Sequence, residues 1–223
     1  MDGLETRLAA VRAGVRDAAR AAGRDPGSIR MIVVTKFHPA QLVRRLVELG
    51  VHDFGESRHQ EAQPKIQQLA ELDLTWHFIG QLQRKKAKAV AAYSDVIHSV
   101  DRESLVTALE SSARTIDAFI QVNLTADPDR GGVPLAELEP LATRVLAADR
   151  INLLGVMAVA PLGEEPRRAF ARLRAASERV RRLSATSDAI SAGMSQDYPQ
   201  AIAEGATHLR IGSAITGNRP PGR

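Results

Sequence analysis

The sequence predicts an α/β fold, a single (β/α)8 barrel of the TIM type preceded by an extra N-terminal helix. Short apolar runs alternate with helical stretches about eight times along the 223 residues. Strands that alternate with helices build a parallel sheet, and eight such units in a chain of this length fit a closed barrel. No G-x-G-x-x-G turn follows the first strand, so a doubly wound open sheet is the weaker alternative.

The first predicted element is a helix over about 4–22, in which Leu4, Leu8, Val11 and Val15 recur at spacings of three and four. The apolar runs that follow predict strands at 31–35, 51–54, 76–79, 95–99, 117–123, 152–159, 188–191 and 208–212. The helical stretches that follow these strands are predicted at about 39–49, 57–71, 84–92, 102–112, 134–148, 165–183 and 197–204, with a short closing helix near 213–217.

Domain organisation is predicted to be simple. No linker or change of composition divides the units, so residues 1–223 are expected to form one domain. The Arg-, Pro- and Gly-rich end of the chain, 219–223, is expected to be a frayed tail.

Composition excludes several classes of function. No stretch approaches the roughly 18 apolar residues of a membrane span, and the charged N-terminus is not a signal peptide. There is no cysteine, which removes disulfide and thiolate chemistry and favours the cytoplasm. With a net charge of +4 and 4% aromatic residues, nucleic-acid binding is disfavoured. The basic run RKKAK at 84–88 is interpreted as an exposed helical turn, with a phosphate or partner patch as the alternative.

Histidines give no sign of a metal site. His38, His52, His59, His98 and His208 are dispersed, and no two of them stand four residues apart on one helix. We therefore expect no bound metal.

Lys36, at the end of the first strand, is the leading functional candidate. Only five of the 30 basic residues are lysine, so the chain uses arginine wherever plain positive charge suffices. Lysine can form an imine with a carbonyl, and arginine cannot. Because the active site of such a barrel lies at the carboxyl ends of its strands, Lys36 is predicted to react with a carbonyl, either that of a substrate, as in an aldolase, or that of pyridoxal phosphate. The alternative is a lysine that caps a strand and reaches solvent.

The last two strand ends predict a phosphate site. In HLRIGSAITG, Arg210 and Gly212 point to the same face of a strand. Gly212 lets the backbone approach an anion, and Ser213 begins a short helix with free N–H groups. Ser195 stands at a second loop-to-helix start, in SAGMSQD. Phosphate sites recur at these two loops of TIM-type barrels; ordinary capping is the alternative.

Seven stretches then carry a resemblance over nearly the whole chain. They are TKFHP (35–39), FGESRHQE (54–61), WHFIGQLQ (76–83), IHSVDR (97–102), GVMAVAP (155–161), GMSQD (193–197) and LRIGSAITG (209–217). In this order and spacing the chain resembles the pyridoxal phosphate homeostasis protein family, the single-domain relatives of the alanine racemase N-terminal barrel. The resemblance implies the type III fold of proteins that bind pyridoxal phosphate (PLP).

The resemblance also implies roles for individual residues. Lys36 is expected to hold PLP as an imine, and Arg210 to face the pyridine nitrogen. Matched to the family's positions, the expected phosphate ligands are Ser195, Gly212 and Ser213, and the expected lining of the ring pocket is Ser57, His77 and Met157.

Four positions depart from the family pattern. Ser57 stands where asparagine is usual, and Lys85 where asparagine is common. Arg130 replaces a lysine after strand five, and Thr216 replaces a phenylalanine before the final glycine. An arginine at 130 attracts phosphate but forms no imine, so a route of cofactor transfer through that position is in doubt; Lys85 or Lys86 is an alternative.

The expected function is that of a cytoplasmic, monomeric carrier that buffers PLP as the Lys36 imine and delivers it to apo-enzymes, with little or no turnover. An arginine opposite the ring nitrogen leaves that nitrogen unprotonated and weakens the ring as an electron sink. A two-base racemase also needs a second base, and Tyr93 and Tyr198 are expected to be packed. The alternatives are a PLP-dependent racemase-like enzyme, a PLP-free Schiff-base aldolase and, more distantly, a nucleic-acid module.

Overall fold

The computed structural model describes residues 3–127 and 129–217, and the predicted frayed tail lies outside them. Their strands are β1 Arg30–Val34, β2 Asp53–Glu56, β3 Thr75–Phe78, β4 Val96–Val100, β5 Ile116–Asn123, β6 Val133–Pro134, β7 Ile151–Met157, β8 Ala189–Ser191 and β9 His208–Ile211. Their α-helices are α1 Leu4–Ala21, α2 Ala40–Glu48, α3 His59–Gln67, α4 Ala87–Ala91, α5 Glu103–Glu110, α6 Leu138–Leu146, α7 Pro166–Leu183, α8 Tyr198–Ala203 and α9 Ser213–Thr216.

The strands close into a parallel barrel. The order is β1, β2, β3, β4, β5, β7, β8 and β9, and β9 pairs again with β1. The predicted (β/α)8 barrel with its extra N-terminal helix is therefore confirmed, with each predicted strand within two residues of its observed bounds. The two-residue β6 pairs in parallel with the end of β5. It was not predicted, because alternation cannot be recognised over so short a segment.

The apolar core lies mainly between the barrel wall and the helices. Every residue of β4 is buried, as expected for a parallel strand covered on both faces. The long α7 begins at Pro166, and the carboxylate of Glu165 accepts hydrogen bonds from the N–H groups of Arg167 and Arg168. This N-cap, followed by a proline, explains where the helix starts.

Helix α1 packs against α8 and α9 through its buried stripe of Leu4, Leu8, Val11, Val15 and Ala19. At Gly14 a Cβ atom would lie 2.2 Å from the Tyr198 hydroxyl, so the absent side chain makes room for this tyrosine. Tyr198 is thus packed against α1, as predicted. No helix among the described residues is long and apolar enough to span a membrane.

The interior of the barrel is less apolar than its outer layer. Val96, Phe119 and Met157 form a small separate cluster. Gly155 has a φ of 152°, and a Cβ there would lie 1.9 Å from the carbonyl oxygen of Ala189, so only glycine allows β7 to approach β8 this closely. Polar side chains occupy much of the remaining interior, and they lead toward the mouth.

Candidate functional site

Lys36 lies two residues beyond β1, at the mouth of the barrel, and its side chain is exposed. Its amine is 5.9 Å from the centroid of the Phe37 ring and makes no hydrogen bond or ion pair within the described part of the chain. An exposed amine without a polar partner is available to react with a carbonyl. The prediction that Lys36 does so stays a prediction.

The backbone after Lys36 is strained and held in place by α3. Phe37 has a φ of 70°, a left-handed conformation that costs a bulky residue about 1–2 kcal/mol. The Phe37 N–H donates to Glu61 Oε2 at 3.1 Å, and the Arg58 guanidinium lies 4.8 Å from the Phe37 ring centroid. These two contacts fix the turn from which Lys36 projects.

A buried ion pair supports the same loop from behind. Lys65 Nζ donates to Glu56 Oε1 at 2.5 Å and to the Thr35 carbonyl at 2.9 Å, and the Thr35 hydroxyl donates to Glu56 Oε1 at 2.8 Å. Burial raises the pKa of Glu56, and the charge of Lys65 opposes that rise. The other Glu56 oxygen, Oε2, is buried and accepts no hydrogen bond from any described residue. Sequence reasoning missed this pair, because nothing local marks Lys65 as buried.

The loops after β8 and β9 meet, as the sequence predicted. Ser195 Oγ accepts the N–H of Ala214 at 3.2 Å and lies 3.4 Å from Ser213 Oγ. The N–H groups of Ser195, Gln196 and Ser213 have no acceptor among the residues that the structure describes. Two hydroxyls and three N–H donors therefore come together at the mouth, which is a donor set that suits an anion.

Gly212 is not required by packing within the protein. A Cβ atom there would lie 3.5 Å from Val34 Cβ, an ordinary contact distance. The prediction that Gly212 allows a phosphate to approach therefore depends on a ligand, and it stays a prediction. The same contact shows that the ends of β1 and β9, which carry Lys36 and Ser213, are neighbours.

Arg210 is buried inside the barrel, with 5% of its surface exposed. Its Nη1 donates to Ser191 Oγ at 2.6 Å and its Nη2 to the Ala158 carbonyl at 2.9 Å. Burial lowers its pKa to about 10, and Asp197 opposes that shift, so the guanidinium stays charged at neutral pH. Two of its five N–H donors are used by these bonds, and it forms no ion pair with any described residue.

His77 lies deep in the barrel interior. Its Nε2 is 3.0 Å from Asp53 Oδ1 and its Nδ1 is 3.0 Å from His98 Nε2. Three hydrogen bonds, through His98 and Ser191, separate it from Arg210. The predicted contact of His77 with a cofactor ring stays a prediction, and the structure brings it together with residues that sequence reasoning left out.

Asp53, His98 and Ser191 were missed as members of the site. Each occupies an inward-facing position of its strand, like His77 and Arg210, and this shared alternation is the signal that could have found them. His98 was instead interpreted only as one of several dispersed histidines. No group of three or more metal-ligating side chains occurs among the described residues.

The two other predicted ring-pocket residues lie at the carboxyl ends of two strands that are not adjacent in the barrel, β7 and β2. Met157 is the buried last residue of β7. Ser57 is half-buried just after β2. A Cβ atom at Gly80 would lie 2.0 Å from the Ser57 carbonyl oxygen, so glycine lets the loop after β3 pack directly on the loop that carries Ser57.

Asn123, another polar strand end, is used to shape its own loop. Its Nδ2 donates to the carbonyls of Asp127 at 2.8 Å and Arg130 at 3.0 Å, and its Oδ1 accepts the N–H of Thr125 at 2.8 Å. Gln121 Nε2 donates to the Gly131 carbonyl at 2.9 Å. These bonds fold the loop after β5 back over the end of its strand, with Arg130 exposed.

The chain is similar to known proteins over most of its length. Residues 6–220 match the family model of the alanine racemase N-terminal domain. A pyridoxal phosphate homeostasis protein of Corynebacterium glutamicum is 40% identical over 208 residues, which cover 88% of this chain and 93% of that protein. One from Pseudomonas aeruginosa is 38% identical over 229 residues, covering 100% of this chain and 98% of its own.

A solved structure agrees in fold and in sequence. PipY of Synechococcus elongatus PCC7942, with PLP bound, superposes with a TM-score of 0.85 at 34% identity. The match covers 96% of this chain and 100% of that one.

Proposed function

Because the chain belongs to the pyridoxal phosphate homeostasis protein family, we propose that it binds PLP at the mouth of its barrel and serves in keeping the cofactor supplied. The observation that carries the proposal is the convergence of Lys36, Arg210 and the Ser195–Ser213 donor set on three adjoining strand ends. PipY, which this chain matches over its whole length, has PLP bound, which supports the same ligand here.

Lys36 is the residue proposed to hold the cofactor covalently. When bound, PLP supplies an aldehyde that forms a Schiff base with a lysine amine. Four features favour Lys36 for this role: it is exposed, it lies at the mouth, its amine has no hydrogen-bond partner among the described residues, and its turn is fixed by Glu61. Lys65, although near in sequence, is committed to Glu56 and Thr35.

The phosphate is assigned to the loops after β8 and β9. The hydroxyls of Ser195 and Ser213 and the open N–H groups beside them offer neutral donors to the phosphate oxygens. Gly212, half-buried between them and Val34, adds backbone that a phosphate can approach. This donor set fits an anion, and the residues present therefore fit the cofactor's phosphate end.

Arg210 is assigned to the ring nitrogen, and Met157 and Ser57 to the ring pocket, while His77 is assigned to support this pocket from below through its bond to His98. Three N–H donors of Arg210 are left over after its bonds to Ser191 and Ala158. Because the guanidinium stays protonated, a ring nitrogen held against it would accept a hydrogen bond and would remain unprotonated. Such a ring withdraws electrons weakly, which supports holding the cofactor over catalysing amino-acid chemistry.

Little or no enzymatic turnover forms part of the proposal. The two tyrosines of the chain are engaged in packing: Tyr198 against Gly14, and Tyr93 stacked on His59 with a ring separation of 5.8 Å. Burial also raises the pKa of Tyr93 well above its usual range. Neither is set up as the second base of a racemase, the alternative function.

We further propose that the protein is a cytoplasmic monomer that passes PLP to apo-enzymes. The exposed side chains of Arg84, Lys85 and Lys88 beside the mouth support contact with an anionic surface of such a partner. Transfer of PLP to an apo-enzyme, followed by recovery of that enzyme's activity, tests this step, and sedimentation tests the monomer.

The decisive experiment is an absorption spectrum with added PLP before and after borohydride. Wild-type protein is expected to show a visible Schiff-base band that borohydride bleaches, and Lys36→Ala is expected to lose the band completely. Lys88→Ala, which removes an exposed lysine of α4, is the matched control and should keep it. A band that survives in Lys36→Ala assigns the linkage to another lysine, and no band in the wild type overturns the cofactor proposal.

Turnover is tested separately in deuterium oxide, by following exchange of the α-proton of several amino acids with PLP-loaded protein. We expect no exchange above that of free PLP. Exchange that depends on Lys36 and exceeds the free cofactor would favour the racemase-like alternative.

A further inference from the structure

Four hydrogen bonds connect Arg210 to a carboxylate near the amino-terminal end of the barrel. The links are Arg210 Nη1 to Ser191 Oγ at 2.6 Å, Ser191 Oγ to His98 Nδ1 at 2.9 Å, His98 Nε2 to His77 Nδ1 at 3.0 Å, and His77 Nε2 to Asp53 Oδ1 at 3.0 Å. Asp53, His77, His98 and Ser191 are called here the interior network. They come from β2, β3, β4 and β8, so the network crosses the barrel interior.

The two ends of the network impose a direction on it. Arginine can only donate, so the Ser191 oxygen accepts from Arg210, and its own hydrogen is left for His98 Nδ1. His98 then carries its proton on Nε2 and donates to His77 Nδ1. His77 in turn donates from Nε2 to Asp53, which as a carboxylate can only accept. Every donor therefore points from the cation toward the anion.

The opposite arrangement leaves a polar hydrogen without a partner. If His77 carried a second proton, its Nδ1–H would force His98 to accept at Nε2 and to donate from Nδ1 to Ser191. The Ser191 oxygen would then receive two donors, and its own hydrogen would have no acceptor among the described residues. Burial beside His77 and Arg210 lowers the pKa of His98 well below its usual value, so a charged His98 is disfavoured as well.

No carboxylate of a described residue contacts Arg210 directly. Its partners are a hydroxyl and a peptide carbonyl, and the charge of Asp197 acts on it without such a contact. At the other end, burial raises the pKa of Asp53, but the hydrogen bond from His77 and the charge of Arg30, 3.5 Å away, outweigh burial, lower that pKa and keep Asp53 an anion. Aligned dipoles between the two charges stabilise both.

The network is not suited to conducting protons. Arg210 at its upper end neither gives up a proton at neutral pH nor takes one. A fixed orientation is what these bonds can supply. That orientation leaves three N–H donors of Arg210 without an acceptor among the described residues, and no carboxylate in contact with it reduces its positive field.

We propose that Asp53, His77, His98 and Ser191 are positioning residues, which hold Arg210 toward the mouth of the barrel. The role of Arg210 toward a cofactor ring rests on the proposed function. The hydrogen bonds of the interior network are present without any ligand. The existence of the network and the role of Arg210 toward a cofactor can therefore be tested separately.

The network is tested first in cofactor-free protein, by nitrogen-15 NMR of the histidine side chains at neutral pH. His77 and His98 are both expected to be neutral and to carry their proton on Nε2. An Nδ1–H tautomer on either ring, or a doubly protonated His77, would overturn the network whether or not the protein binds PLP.

The positioning role is tested by PLP affinity in two matched serine variants. Ser191→Ala removes the hydroxyl that contacts Arg210, and we expect its dissociation constant for PLP to rise about tenfold, since one hydrogen bond to a charged group is lost. Ser187→Ala removes an equally buried hydroxyl that bonds only the Leu153 carbonyl and Ser184, and it should change affinity by less than about twofold.

Asp53→Asn is the second variant, at the far end of the network. It keeps an acceptor for His77 and removes the charge, so we expect a smaller rise of about threefold. Equal affinities in Ser191→Ala and Ser187→Ala would overturn the positioning role. If wild-type protein binds no PLP, the proposed function fails, and the histidine tautomers still decide whether the network exists.

Discussion

Two buried cations lie on opposite sides of the barrel wall, and they are neutralised in different ways. Lys65 lies between the wall and α3 and meets the carboxylate of Glu56 at 2.5 Å. Arg210 lies inside the barrel, where its hydrogen-bond partners among the described residues are Ser191 and Ala158, and a series of hydrogen bonds connects it to Asp53. Both are nearly inaccessible to solvent.

The difference separates a structural charge from one that is available to a ligand. The electric field of a cation in contact with a carboxylate is largely cancelled, so Lys65 serves to hold Thr35 and the turn before Lys36. A cation whose counter-charge is distant keeps unused donors and an open field at the mouth. The cost of that arrangement is a lower stability of the buried charge.

The largest expected effect is a loss of stability when the ion pair between Lys65 and Glu56 is broken. Lys65→Met should lower the free energy of unfolding by about 3–5 kcal/mol, because Glu56 is left buried without a partner. Denaturant titration measures it. Adding Glu56→Gln to this variant should recover most of the loss, and a single-variant loss below about 1 kcal/mol would show that the pair is not tightly coupled.

The pH dependence of stability reports on the interior. Burial lowers the pKa of His98 well below its usual value and that of His208 to about 3. The unfolded chain protonates both near pH 6.5, while the folded chain does not. Stability is therefore full above that pH and falls as the pH drops toward 3, by about 1.4 kcal/mol per pH unit for each histidine.

Unfolding by urea at pH 7.5, 6.5 and 5.5 measures this slope. His208 bonds Thr207 and lies outside the interior network. His208→Gln removes the contribution of this one histidine, so the free energy of unfolding should fall less steeply below pH 6.5 in the variant than in the wild type. An unchanged slope would mean that His208 is protonated in the folded state.

The smallest expected change in stability is at Arg210. Arg210→Met removes a buried cation without a contacting carboxylate, and it should change the free energy of unfolding by no more than about 1 kcal/mol, in contrast to Lys65→Met. Its affinity for PLP should nevertheless fall at least tenfold. A stability loss as large as that of Lys65→Met would erase the distinction between the two cations.

Much of the fold was predictable because its signals are local. The eight strands and their helices follow from alternation and apolar spacing, and each strand lies within two residues of its prediction. The scarcity of lysine drew attention to Lys36, but the same argument applied to Lys65, which turned out to be a structural residue. Composition cannot tell a reactive lysine from one buried against a carboxylate.

The barrel, the position of Lys36 at a strand end and the approach of the last two loops can be predicted from residues that are close along the chain. That Glu56 neutralises Lys65, and that Asp53, His77, His98 and Ser191 form one network below Arg210, becomes evident only from the three-dimensional structure. These contacts join strands whose relative height is set by the tilt and closure of the barrel. No local pattern encodes that geometry, so side chains from four separate strands meet only when the barrel is closed.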